Sequence, residues 1–191
     1  MGVLLAHRAV NSYASAMEEP QPAHRTLVLV RHAKSSWDLD VDDHERPLSG
    51  RGRRDAVAIG QELAKRGIRP DLVLCSTAVR TRETWEEADR GGAQAVDVRY
   101  VTEIYHAWVP ELISIIRSLP DSASTVLMLG HAPGIPDLVE FLAARDPGSA
   151  QWARLDEKFP TAGLAILSVT GSWADVGRSR ARLAAFEVAR G

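Results

Sequence analysis

The chain has 191 residues, 45% of them hydrophobic, with a single cysteine and a formal net charge of −2. That length holds one well-packed domain and is short for two. The small net charge excludes a general attraction to nucleic acid or to anionic membranes, so any anion-binding power has to be local.

The lone Cys75 excludes an intramolecular disulfide framework and a multi-cysteine zinc site, and it fits a reducing, cytoplasmic setting. At the amino terminus, residues 2–6 are too short for a signal segment, Arg8 interrupts them, and Ala6 stands where a myristoylation motif needs Ser or Thr. No apolar run approaches the ~20 residues of a membrane span. The proline and acid cluster Glu18-Glu19-Pro20-Gln21-Pro22 reads as solvated chain. Residues 1–25 are therefore expected to form a flexible arm, with Met17 a second candidate start, and residues 26–191 the domain. His7 and His24 fall in that arm and carry no assigned role.

Leu27-Val28-Leu29-Val30 reads as a buried parallel strand that ends at Arg31-His32. A polar stretch from Lys34 to Pro47 leads to Ser49, a good cap for a helix with apolar positions Ala56, Val57, Ile59, Gly60 and Leu63, closed by Gly67. Residues 71–75 are a second strand, 76–90 a helix by propensity, and 96–101 a weak strand. Pro110 suits the first turn of a helix through Leu119. Residues 125–129 are a third apolar strand, ending at Gly130-His131, and Pro136 starts a helix to about Ala144. Residues 163–169 and 182–188 are two further strands with no full helix between them. The alternation predicts an α/β fold of three layers, helix-sheet-helix, around a mostly parallel central sheet.

Three of these strands end in polar signatures: Arg31-His32, Ser76 leading to Arg80, and His131. In a parallel sheet the carboxyl ends share one edge, so two histidines and two arginines distant in sequence converge on one pocket. Such a set suits phosphate. Guanidinium groups grip phosphoryl oxygens bidentately, a neutral imidazole can attack phosphorus, and neighbouring arginine charge disfavours imidazolium.

Arg31-His32-Ala33, the following Trp37, Pro47-Leu48-Ser49-x-Arg51-Gly52, Ser76-x-x-x-Arg80-Thr81-x-x-Thr84 and Gly130-His131 together resemble the histidine phosphatase superfamily, also called phosphoglycerate mutase-like. The resemblance spans roughly residues 27–188. Arg31-His32-Ala33-Lys34-Ser35-Ser36-Trp37, Glu103-x-Tyr105-His106-Ala107 and Phe159-Pro160-Thr161 look like its SixA-like phosphohistidine phosphatase branch, and the chain has no room for the long insertions of the mutase branch. The resemblance implies that His32 is the nucleophile, that Arg31, Arg80 and His131 hold the transferring phosphoryl group, and that no cofactor is needed. Glu103, just after the weak strand, is the expected proton donor, which requires a raised pKa.

Other residues have a plain reading beside a functional one. Cys75 and Arg80 are too close for the thiolate loop of cysteine-dependent phosphatases, no glycine lies between them, and Cys75 is better read as core. Asp42-Asp43-His44-Glu45 reads as a solvated loop rather than a metal cluster. Trp37 either closes over the pocket or packs, and packing is preferred. Tyr105 and His106 either line the pocket or pack locally. Ser35 and Ser36 either offer hydroxyls to phosphate or cap a turn. Arg46 and Arg51 either widen the positive mouth or sit on a solvated face.

The expected activity is metal-independent phosphatase chemistry through a phosphohistidine on His32, with a protein phosphohistidine or a small phosphate ester as substrate. A small-molecule phosphomonoesterase and a non-catalytic phosphate-binding protein are the alternatives. Nucleic acid and membrane are not expected partners, and a monomer is the default state.

Overall fold

The computed structural model describes residues 24–191; the expected arm, apart from its last two positions, lies outside the described residues. The elements run in chain order as β1 (His24–Arg31), α1 (Gly50–Lys65), β2 (Leu72–Ser76), α2 (Val79–Arg90), β3 (Asp97–Val101), α3 (Val109–Arg117), β4 (Thr125–Gly130), α4 (Gly134–Leu142), α5 (Ala150–Glu157), β5 (Gly163–Thr170) and β6 (Ala181–Val188). Single 3-10 turns occupy Asp43–Glu45, Thr102–Ile104 and Trp173–Asp175. Among the described residues no helix is long and apolar enough to cross a membrane.

The six strands form one sheet in the order β3-β2-β4-β1-β5-β6. The pairs β2/β3, β2/β4 and β1/β4 are parallel, whereas β1/β5 and β5/β6 are antiparallel, so the sheet is mixed with a parallel half. Strands buried on both faces need apolar residues throughout, and β2 is buried at all five positions. Alternate side chains feed two cores. Leu27, Leu29, Leu74 and Met128 pack with residues of α3, α4 and α5, while Val28, Val30, Cys75 and Leu129 pack with α1 and α2. The predicted three layers are present.

Local chemistry explains most boundaries. Ser49 caps α1, its hydroxyl accepting from Gly52 N at 3.1 Å, and Gly67 ends the helix region in the left-handed conformation at φ 65°. A Cβ on Gly60 would run into the carbonyl oxygen of Ala88, so this glycine lets α1 and α2 cross in backbone contact.

Four expectations need correction. β1 begins at His24, so His24 and Arg25 belong to the domain; Arg25 is buried and bonded to Asp121 at 2.8 Å. α2 begins at Val79 because Ser76 completes the ladder of β2. Helix α4 starts two residues before Pro136, at Gly134. Helix α5, not foreseen, is capped by the Ser149 hydroxyl and buries Trp152 and Leu155.

Candidate active site

β2, β4 and β1 are neighbours in the middle of the sheet, with parallel direction, so their carboxyl ends bring Ser76, His131 and Arg31-His32 to one edge. The ladder continues one step past β1, with His32 N donating to Gly130 O at 3.0 Å. The rings of His32 and His131 lie 5.1 Å apart between centroids. Beside His32 is a cleft of about 190 Å³ lined also by Arg31, Ser35, Trp37, Arg46, Arg80 and Thr161.

His32 is 8% exposed, and its Nδ1 lies 2.7 Å from the carbonyl oxygen of Ala33. A carbonyl can only accept, so Nδ1 carries the proton and Nε2 keeps its lone pair. Burial pushes the imidazole pKa down to about 3; the Ala33 bond opposes this, and the charges of Arg80, Arg31 and Arg46 add to it. The ring is therefore neutral and nucleophilic at neutral pH.

His131 is pushed down to about 2, by burial first and then by His32 and Arg80. Its Nε2 lies 2.8 Å from the Ser76 hydroxyl. Its Nδ1 and the Nε of Arg31 are the two buried side-chain polar atoms without a partner among the described residues. Buried polar atoms are otherwise paired in the large majority of cases, so an unpartnered pair within one cluster points to a group that the cluster is built to bind.

Arg31 is anchored through Nη1 to the carbonyl of Phe159 at 2.8 Å, and the same loop receives the chain again through Ala162 N, which donates to His32 O at 3.1 Å. Arg80 sits in the first turn of α2. Thr84 fixes that turn against the loop after His32, since its hydroxyl accepts from Ala33 N and donates to Arg80 O.

The expected solvated loop 42–45 needs correction at Asp43. Its Oδ2 receives Arg80 Nη2 at 2.9 Å and the Tyr105 hydroxyl at 2.8 Å, its Oδ1 receives Arg46 Nη1 at 2.7 Å, and its carbonyl receives Arg80 Nη1. Burial works to raise this carboxyl, but the Tyr105 bond and the two arginines outweigh it and hold the pKa at about 2. His44 turns to Thr77, with 3.0 Å between Nε2 and the hydroxyl.

The other candidates separate by location. Ser35 is buried in the cleft wall and its hydroxyl accepts from Arg46 Nη2, while the Ser36 hydroxyl is engaged by Asp38 in a local turn. Trp37 does not pack into the core. It is 74% exposed at the cleft mouth, with the Arg46 guanidinium 3.2 Å from its ring centroid. Tyr105 belongs to the cluster, 5.4 Å from His131 by ring centroids. His106, exposed and at φ 57°, stacks on Tyr105.

Arg46 is buried in the cluster, whereas Arg51 lies on the open face of α1 beside Asp55. Cys75 is fully buried, with its thiol pushed up to about 12 by burial. The expected donor Glu103 is not brought to the histidines. It is exposed on the turn after β3 and lines a separate groove with Arg99, Ser114 and Ile115. Of the two readings open for Arg46 the structure favours the cleft; the residue that sequence reasoning passed over is Asp43, whose one signal was its place in a polar loop between Trp37 and the Pro47-Leu48-Ser49 helix entry.

Comparison with known proteins places the chain in a family. Residues 27–105 match the profile of the histidine phosphatase superfamily (branch 1). An uncharacterised protein of Mycobacterium tuberculosis strain H37Rv is 40% identical over 162 residues, which are 84% of this chain and 100% of that one. The SixA structure from Nakamurella multipartitia superposes with a TM-score of 0.77 at 39% identity, covering 88% of this chain and 98% of that chain. That from Agrobacterium tumefaciens does so with a TM-score of 0.70 at 32% identity, covering 85% and 97%. On the family profile, on relatives about 40% identical over most of both chains and on the shared fold, the chain belongs to the histidine phosphatase superfamily, in its SixA-like branch.

Proposed function

We propose that the protein is a metal-independent phosphatase acting on phosphohistidine, with a covalent phosphoryl intermediate on His32. The observation that carries this reading is the neutral His32, its Nδ1 tied to Ala33, beside two unpartnered buried nitrogens, Arg31 Nε and His131 Nδ1. Nε2 of His32 attacks phosphorus, a new N–P bond forms, and the bond to the leaving atom breaks with its electrons on that atom. Water then attacks the phosphoryl group, the N–P bond electrons return to Nε2, and phosphate leaves. Arg31, Arg80, Arg46 and the His131 Nδ1–H hold the charged oxygens throughout, which is positioning plus electrostatic stabilisation.

The leaving group is argued from the place of Glu103. A phosphate ester departs as an alkoxide, which needs an acid at hand; a phosphohistidine protonated on its free ring nitrogen departs as neutral imidazole and does not. With Glu103 in a separate groove and Asp43 held ionised, the cleft suits the second. The exposed indole of Trp37 at an open mouth suits a phosphate presented on a protein surface. A small-molecule phosphomonoesterase stays as the second reading, since the phosphoryl clamp is common to both.

The test is to react the purified protein with a phosphohistidine protein, phosphoramidate and a panel of phosphate esters, with and without chelator. Turnover of the first two that survives chelation, together with an acid-labile phosphoenzyme missing from His32→Ala, is expected. Preference for the esters would overturn the substrate assignment, and indifference to every phosphorylated compound would overturn the phosphatase reading.

A further inference from the structure

We propose that Asp43 sets the oxyanion affinity of the cleft: its carboxylate, clasped between Arg46 and Arg80, competes with phosphoryl oxygens for these guanidiniums and speeds release of inorganic phosphate. The proposal rests on the phosphatase reading and adds a residue to it. Three guanidiniums line the cleft, on Arg31, Arg46 and Arg80. A site of that charge binds a phosphate dianion tightly as product no less than as substrate, and a phosphatase has to let it go.

Asp43 is placed to moderate this. It takes the terminal nitrogens of Arg80, one by its carbonyl and one by Oδ2 at 2.9 Å, and an Nη of Arg46 by Oδ1 at 2.7 Å. Both arginines are buried and line the cleft, while the Asp43 side chain is 45% exposed and stands outside that lining, so the carboxylate draws on the two cations from beside the space an anion would fill. The Tyr105 hydroxyl fixes its remaining freedom by donating to Oδ2 at 2.8 Å. Asp43 stays ionised over the working pH range, so its charge is a constant feature and not a proton source.

The experiment is the dissociation constant of inorganic phosphate, measured calorimetrically on the full chain, for wild type, Asp43→Asn and Asp43→Ala. Removal of one carboxylate at hydrogen-bonding distance from two cations in a partly exposed site should tighten phosphate binding by about tenfold. It should also make turnover correspondingly more sensitive to added phosphate. The position is on an exposed 3-10 turn, so both variants keep the core intact, and their circular dichroism serves as the check.

Phosphate binding that is unchanged or weaker in both variants overturns the proposal and leaves Asp43 as a positioning residue. A wild-type protein that neither binds phosphate nor forms a phosphoenzyme overturns the phosphatase reading instead, which keeps the two failures apart.

Discussion

At the scale of single residues, the site is a set of cations and imidazoles in which, among the described residues, only Arg31 Nε and His131 Nδ1 are buried without a partner. Arg80 is 5% exposed in the first turn of α2 and points at the same space as His32. A transition-state donor of this kind, once removed, costs about 10²- to 10³-fold in rate. Arg80→Ala is expected to lose at least that in kcat/KM, and an undiminished rate would remove Arg80 from the clamp. Arg31, His32, Arg80 and His131 were legible in the sequence because each follows an apolar strand, a pattern that places side chains on a sheet edge regardless of loop shape. Asp43 was not, and Arg46 stayed undecided between the pocket mouth and a solvated face, since both belong to the irregular stretch between β1 and α1, where no periodicity says which polar side chain turns inward. Glu103 failed for the same reason in reverse: its position after β3 was foreseen, but the 3-10 turn Thr102–Ile104 buries Ile104 and turns the carboxylate outward.

At the scale of elements, the site depends on α1 and α2 lying close enough to bring Ser49 and Arg80 to the same loop. The contact is made at Gly60, whose missing side chain admits the carbonyl of Ala88, and again at Gly91 against the carbonyl of Val57. Gly60→Ala places a methyl group where a backbone oxygen sits, so the helices must separate. Overpacking of this kind costs about 1–3 kcal/mol, outweighing the gain in helix propensity of about 1 kcal/mol. The expected result is a lower urea midpoint with an unchanged m-value; a midpoint at or above wild type would mean the crossing is looser than drawn. Helix α1 was visible from its cap and apolar spacing, and α3 from Pro110 in its first turn. Helix α5 was not, because its buried face consists of Trp152 and Leu155 alone among charged neighbours, too little apolar signal for a helix of eight residues.

At the scale of the whole molecule, acid stability draws on the same two imidazoles as the proposed catalysis. An unperturbed histidine titrates near pH 6.5. In the folded chain burial holds His32 at about 3 and His131 at about 2. Both folded values are depressed, so above about pH 6.5 neither state of the protein is protonated at these sites and the stability is fully present. As pH falls below 6.5 the unfolded chain takes up protons that the folded chain refuses, and stability is lost progressively down to about pH 3. The slope is on the order of 1 kcal/mol per pH unit for each imidazole. Asp43, held at about 2, adds its own loss only below the ordinary carboxylate range, so the window between pH 6.5 and 4.5 reports on the histidines. Urea midpoints across that window should fall steadily for the wild type and less steeply for His131→Asn, which removes one of the two refusing groups. A wild-type stability that stayed level or rose on acidification would show that the rings accept protons in the fold, and with that the neutral nucleophile would be lost.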